Sequence, residues 1–179
     1  MRVITGQARG RRLISPEGYD VRPTTDKVKE SLFNILQFRL DGASVLDLFA
    51  GSGQLGIEAL SRGADRAVFV DSSRKSLDVV KKNIELCRFT SQSQTFLLDA
   101  TAFLRTTNEK FDIVILDPPY HKNLCISALE LLGNAVNDDA VVICETQSDE
   151  ELPERIGNFS VDRVYSYSSI KLTAYRVDK

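Results

Sequence analysis

Apolar residues along this chain follow two spacings, and the alternation between them predicts the fold. Short, mainly apolar runs bounded by turn residues occur at 45–49, 66–70, 95–98, 111–116 and 140–144. Such runs suit strands covered on both faces, as in a parallel sheet. Between them the spacing becomes helical. Val28, Leu32, Ile35 and Leu36 fall at i, i+4, i+7 and i+8 and predict a helix reaching about Phe38. Residues 57–60 open a second helix, Leu77, Val80, Ile84 and Cys87 mark the apolar face of a third, and 126–132 reads as a fourth. Strands and helices in alternation define an α/β fold.

Both ends break the alternation. Residues 159–167 and 170–177 are consecutive β-prone segments joined at Ser168 and Ser169, which predicts an antiparallel hairpin on the sheet. Residues 1–6 and 11–14, separated by Gly6 and Gly10, predict a small hairpin ahead of the first helix. Pro23 then holds the chain extended, Thr24 suits an N-cap, and Asp26 suits the positive end of that helix. With no repeat or linker, the chain is expected to be one domain over 1–179, divided into a hairpin and helix at 1–40 and a core at 41–179.

Composition narrows the class. A chain of 179 residues that is 42% hydrophobic can bury one sizeable core. Its first ten residues lack the apolar stretch of a signal peptide, and no apolar run is long enough to span a bilayer, so a cytoplasmic protein without membrane partners is expected. Cys87, Cys125 and Cys144 are far apart with no C-x-x-C pair, and His121 is the single histidine. That argues against a disulfide framework or a metal site. The net charge of −2 speaks against indiscriminate nucleic-acid binding, but its distribution is uneven. Arg2, Arg9, Arg11 and Arg12 precede any acid, and Arg22 follows soon after. A local basic patch is the footprint of a protein that meets phosphates on one face, with Arg9, Arg11, Arg12 and Arg22 as candidate contacts; a solvated terminus is the alternative.

The chemistry is concentrated at strand ends. After residues 45–49 comes Gly51-x-Gly53-x-x-Gly56, a glycine turn opening a helix, where open α/β sheets bind ligands. The glycines alone also fit NAD. Asp47 favours a cationic ligand instead, because it puts a carboxylate where a pyrophosphate would lie. Asp71 follows about 20 residues after the glycines, a spacing that suits a ribose hydroxyl pair. Asp99 closes the next strand, where it either meets an adenine amine or caps a helix. Residues 111–116 end in Asp117-Pro118-Pro119-Tyr120, a stiff loop that presents carbonyl acceptors and an aromatic ring in fixed relation.

The Asp-x-x-x-Gly-x-Gly pattern resembles the first motif of S-adenosylmethionine-dependent methyltransferases, and Asp-Pro-Pro-Tyr resembles the loop by which some of them methylate exocyclic amines of nucleobases. More of the chain is similar to one family, the bacterial 16S rRNA guanine-N2 methyltransferases. The likeness runs through Met1 to Gly6, Arg9 to Leu13, Arg22 to Glu30, Leu32 to Leu36, Asp47 to Ala64, Asp117 to Tyr120 and Glu145. The resemblance implies a Rossmann-like class I fold with a seven-stranded mixed sheet. It implies S-adenosylmethionine as cofactor, S-adenosylhomocysteine as product and no metal. Asp47, Gly51, Gly53, Asp71, Asp99 and Asp117 would shape the cofactor pocket, and Asp117, Pro118 and Tyr120 would act on the base. The implied partner is 16S rRNA or the assembling 30S subunit, met by a monomer. Gln54, Asp71 and Ser168 depart from the residues more usual in that family. The competing readings are an adenine-N6 DNA methyltransferase, for which the chain leaves little room for a target-recognition region, NAD oxidoreduction, and a non-catalytic RNA-binding assembly factor.

Overall fold

The computed structural model describes residues 1–15 and 26–178. Five strands, β1 (Ser44–Asp47), β2 (Arg66–Asp71), β3 (Ser93–Leu97), β4 (Phe111–Leu116) and β5 (Val136–Gln147), run parallel. Three more, β6 (Arg155–Ile156), β7 (Phe159–Tyr167) and β8 (Ile170–Val177), complete the sheet in the order β3-β2-β1-β4-β5-β8-β7-β6, with β8 antiparallel to β5. The sheet therefore has eight strands where seven were expected, the extra one being the two-residue edge piece β6.

Helices cover both faces, which is why the strands read as mainly apolar runs. Val45, Phe69, Ile113, Ile115 and Ile143 face α1 (Asp26–Leu36), α2 (Gln54–Ser61) and α3 (Arg74–Cys87). Leu46, Val68, Val114, Leu116 and Val142 face α4 (Ala100–Thr106) and α5 (Leu124–Leu131). The expected helical face at Leu77, Val80, Ile84 and Cys87 is buried. Burial also keeps Cys87, Cys125 and Cys144 as free thiols.

The start of one strand differs from expectation for an identifiable reason. The fifth strand was expected at 140–144 but begins at Val136, because a bulge between its pairs with Phe111 and Ile113 lets it take extra, partly exposed residues. The expected amino-terminal hairpin is present as a short antiparallel pairing, with a bridge from Arg2 to Arg12 and bonds from Val3 N–H to Arg11 O at 3.0 Å, Gly10 N–H to Val3 O at 2.9 Å and Leu13 N–H to Met1 O at 3.2 Å. Other groups of its backbone are bonded to α2. Ile4 and Thr5 N–H donate to the Glu58 carboxylate at 2.8 and 3.0 Å, and Ala8 N–H donates to Ser61 Oγ at 2.9 Å. Val3, Ala8 and Leu13 are buried, so the arm is strapped to α2 as part of the core. Gly6 is required there, since a Cβ would stand 1.7 Å from the Ser61 carbonyl oxygen.

Glu58 is itself buried and also takes Arg62 Nε at 2.9 Å and Lys29 Nζ at 3.5 Å. Burial lowers the Lys29 pKa, while the Glu58 charge opposes that shift. The proposed cap Thr24 lies outside the described residues. Helix α1 ends at Leu36, short of Phe38, which is 92% exposed.

Candidate active site

Strand β1 pairs with β2 on one side and β4 on the other, so the strand order reverses there and opens a crevice at the carboxyl ends. Every parallel strand brings a carboxylate to that edge. Asp47 and Asp71 are the last residues of β1 and β2, Asp99 and Asp117 follow β3 and β4, and Glu145 lies in β5 one residue past the Cys144 that pairs with Leu116. Glu145 was expected just beyond its strand; the longer β5 places it inside the ladder, opposite Leu172.

The glycine turn is built as the sequence pattern requires. Gly51 and Gly53 have φ of 55° and 77°, a region costly for other residues. Gly56 is needed for space, because a Cβ there would meet the Phe69 ring at 2.3 Å. Two N–H groups beside the strand ends, one in the turn and one in α2, are taken by side chains. Gly51 N–H donates to Asp71 Oδ2 at 2.9 Å, and Gly56 N–H donates to Asp47 Oδ2 at 3.0 Å. A buried amide and a buried carboxylate satisfy one another, and the acids thereby hold the turn in shape.

Asp71 spends its other oxygen on Ser73 N–H at 2.7 Å. A carboxylate has about four acceptor positions, so two remain for ribose hydroxyls. Asp47 is different. It is 1% exposed, and its Oδ1 is buried without a hydrogen-bond partner among the described residues. Burial pushes its pKa up to about 7; the Gly56 bond works against that, and the Asp117 and Asp71 charges add to it. This orphaned oxygen, in a row of like charges, fits a ligand that brings a positive centre, as S-adenosylmethionine does. A pyrophosphate would be repelled.

Asp99 caps α4, with Thr101 N–H and Oγ1 and Ala102 N–H all donating to its Oδ1. Those bonds, led by the Thr101 hydroxyl, lower its pKa against a small burial penalty. The capping role is present, and Oδ2 takes none of the three bonds.

Beyond the row, the 117–120 loop crosses toward β5. Pro118 is buried, Pro119 is exposed, and Tyr120 is half-buried with its hydroxyl donating to Glu145 Oε1 at 2.9 Å. Pro118, Tyr120, His121, Cys125, Glu145 and Glu150 are among the residues lining a cavity of about 230 Å³ on the β4–β5 side. Its lining is rich in acceptors.

The expected phosphate contacts Arg9, Arg11 and Arg12 are exposed on the arm, away from the strand ends, and Arg22 falls outside the described residues. The arm still reaches the turn. Asn83, buried on α3, donates to Ser52 O and to Ile14 O at 2.9 Å and accepts Ile14 N–H at 2.8 Å. Sequence reasoning missed Asn83 and Glu58, since both act on residues more than 50 positions away or on backbone, and neither interrupts a motif. Glu145 was visible as another acid near a strand end, but nothing in the sequence tied it to Tyr120.

The fold is the Rossmann-like sheet of class I methyltransferases, shared with solved structures described as a methyltransferase and a methylase. The family model described as "Conserved hypothetical protein 95" matches residues 1–176, and the chain belongs to that family, together with the ribosomal RNA small subunit methyltransferases D. The protein of that name in Haemophilus influenzae is 38% identical over 85% of this chain and 81% of its own length. Its Escherichia coli counterpart is 36% identical over 91% of this chain and 83% of its own. The solved structure of yhhF from Escherichia coli superposes with a TM-score of 0.89 at 32% identity, covering 99% of this chain and 98% of that one. The chain is thus a member of a family of methyltransferases, in which these two relatives are named for ribosomal RNA of the small subunit.

Proposed function

We propose that this protein transfers a methyl group to the exocyclic N2 of a guanine in 16S rRNA. The observation that carries the reading is the rigid Asp117–Tyr120 loop, which stands between the carboxylate row and the acceptor-lined cavity. S-adenosylmethionine, held by Asp47, Gly51, Gly53, Asp71 and Asp99, supplies an electrophilic methyl. The chain's own task is to make a poor nucleophile react. An exocyclic amine has its lone pair delocalised into the ring and becomes nucleophilic as it pyramidalises. The Asp117 carboxylate and the Pro118 carbonyl accept its two N–H bonds in that geometry, and the Tyr120 ring holds the base in line. As the new C–N bond formed, the methyl–sulfur bond would break, S-adenosylhomocysteine would leave, and the amine's surplus proton would pass to the Asp117 carboxylate beside it.

Guanine suits this cavity better than adenine. Its N1–H and N2–H groups make a donor edge, whereas adenine presents an acceptor at N1, and the walls carry Glu145 and Glu150. The base must leave any helix to enter, so it is extruded or lies in a loop. Exposed Arg9, Arg11 and Arg12 would track the flanking phosphates. The test is transfer of labelled methyl to free 16S rRNA and to partly assembled small subunits from an unmodified strain, followed by nucleoside analysis. N2-methylguanine is the expected product; labelled adenine, or no label in either substrate, would overturn the reading.

A further inference from the structure

Two prolines make the first part of the active-site loop stiff, but Tyr120 lies past them, where the backbone turns through two left-handed residues, His121 (φ 59°) and Asn123 (φ 53°). The end of β5 stitches that segment down. His121 N–H donates to Glu150 Oε2 at 2.9 Å, Gln147 N–H donates to Glu150 Oε1 at 3.0 Å, and the His121 ring meets Gln147 Oε1 at 3.2 Å. The Tyr120 hydroxyl is bonded to Glu145 at 2.9 Å. Glu145 is 1% exposed and pairs with Leu172 of β8, one residue past the end of the β4 ladder, so the sheet holds its backbone and burial confines its carboxylate. Burial, followed by the Glu145 and Asp117 charges, holds the Tyr120 phenol above its ordinary range, which keeps the hydroxyl a donor.

From this geometry we infer that Glu145 is a positioning residue for methyl transfer: anchored on β5, it holds the Tyr120 hydroxyl and so fixes the ring plane against which the target base lies. The inference rests on the function proposed above. A base stacked on a ring free to swing would bring its amine into line only part of the time, and small misplacements of a reacting atom cost large factors in rate. The same contact makes the cavity wall, since Tyr120 and Glu145 both line it.

The test is a double-mutant cycle on methyl transfer to rRNA, with S-adenosylhomocysteine affinity measured by calorimetry on each variant. Glu145→Ala and Tyr120→Phe should each lower kcat by about 10- to 100-fold, with affinity for S-adenosylhomocysteine unchanged. Glu145→Gln, whose amide oxygen can still accept the hydroxyl, should recover most of the rate. In the Tyr120→Phe background Glu145→Ala should cost nothing further, which a merely structural role would not produce. Should Glu145→Ala fail to fold, Glu145→Gln and Tyr120→Phe, which keep the packing, still decide: a wild-type kcat in Tyr120→Phe would overturn the inference. Additive losses, or cofactor affinity falling in step with kcat, would overturn it too. An inactive wild type would overturn the functional reading and the inference together, whereas an active wild type with normal turnover in Glu145→Ala removes the inference alone.

Discussion

Asp47 shows how one side chain links folding to ligand binding. Its pKa of about 7 lies above the unfolded value of 3.8, so between these pH values the native state holds a proton that the unfolded chain has released. Stability from this group is therefore full at low pH, falls as pH rises toward 7, and is level beyond; the span is worth about 4 kcal/mol. Asp47→Asn keeps an acceptor for Gly56 N–H and removes the titration. Measured by denaturant unfolding, the variant should gain stability on the wild type as pH rises from 5 to 7 and hold that advantage above 7. Its affinity for S-adenosylmethionine should fall most at high pH, where the wild type is ionised. A difference between the two proteins that is flat across this range would show that Asp47 is charged throughout. Asp117 bears on the same group, since its charge helps raise Asp47. Asp117→Ala should lower the Asp47 midpoint and largely retain cofactor binding, while costing about 10²- to 10³-fold in kcat, the size seen when a group that stabilises a transition state is removed. Equal loss of binding and turnover would contradict its assignment to the target amine.

Among the elements, those marked by local apolar density and turn residues were legible, and attachments made by distant side chains were not. Residues 111–116, 159–167 and 170–177 match β4, β7 and β8 because apolar density and turn residues mark them locally. Helix α4 escaped notice; it is seven residues long and carries only Ala100, Phe103 and Leu104 to the core. The amino-terminal hairpin was legible but its attachment to α2 was not, because the partners Glu58 and Ser61 lie more than 50 residues away and have no signature at the arm itself. That attachment sharpens the RNA prediction. An arm fixed to α2 presents Arg9, Arg11 and Arg12 from a set position and does not trail in solvent. Replacing all three with Gln should reduce the slope of log K against log salt by about 2, each lost phosphate contact in single-stranded RNA being worth roughly 0.7. An unchanged slope in a filter-binding titration would mean the arginines are only solvated. Their exposure also predicts that the triple variant keeps its thermal stability.

At the scale of the whole molecule, the order of strands does what no single motif could. The glycine pattern alone left NAD and S-adenosylmethionine both open; the sheet adds a row of acids, Asp71, Asp47 and Asp117 on adjacent strands beside the turn, that supports the second. In register, Asp47 is level with Phe69 and Ile115, so the three acids lie across neighbouring strand ends and raise Asp47 between them. That convergence depends on strands distant in sequence and was not legible as a row. It has a thermodynamic consequence. A ligand bound only to the native state stabilises it by RT ln(1 + [L]/Kd), about 2.7 kcal/mol at a hundred times Kd, which for a chain of this size is a rise in Tm of roughly 5–11 °C. S-adenosylmethionine and S-adenosylhomocysteine at saturation should both give such a shift. NAD should give none at the same concentration, because its pyrophosphate would face the acidic row and would find Gly51 and Gly56 N–H already bonded to Asp71 and Asp47. Asp47→Asn adds the discriminating arm. S-adenosylmethionine carries the sulfonium charge that S-adenosylhomocysteine lacks, so the variant should lose more of the shift given by the first than by the second. Equal losses would place the charge of Asp47 out of reach of the sulfonium and leave it the single task of holding Gly56.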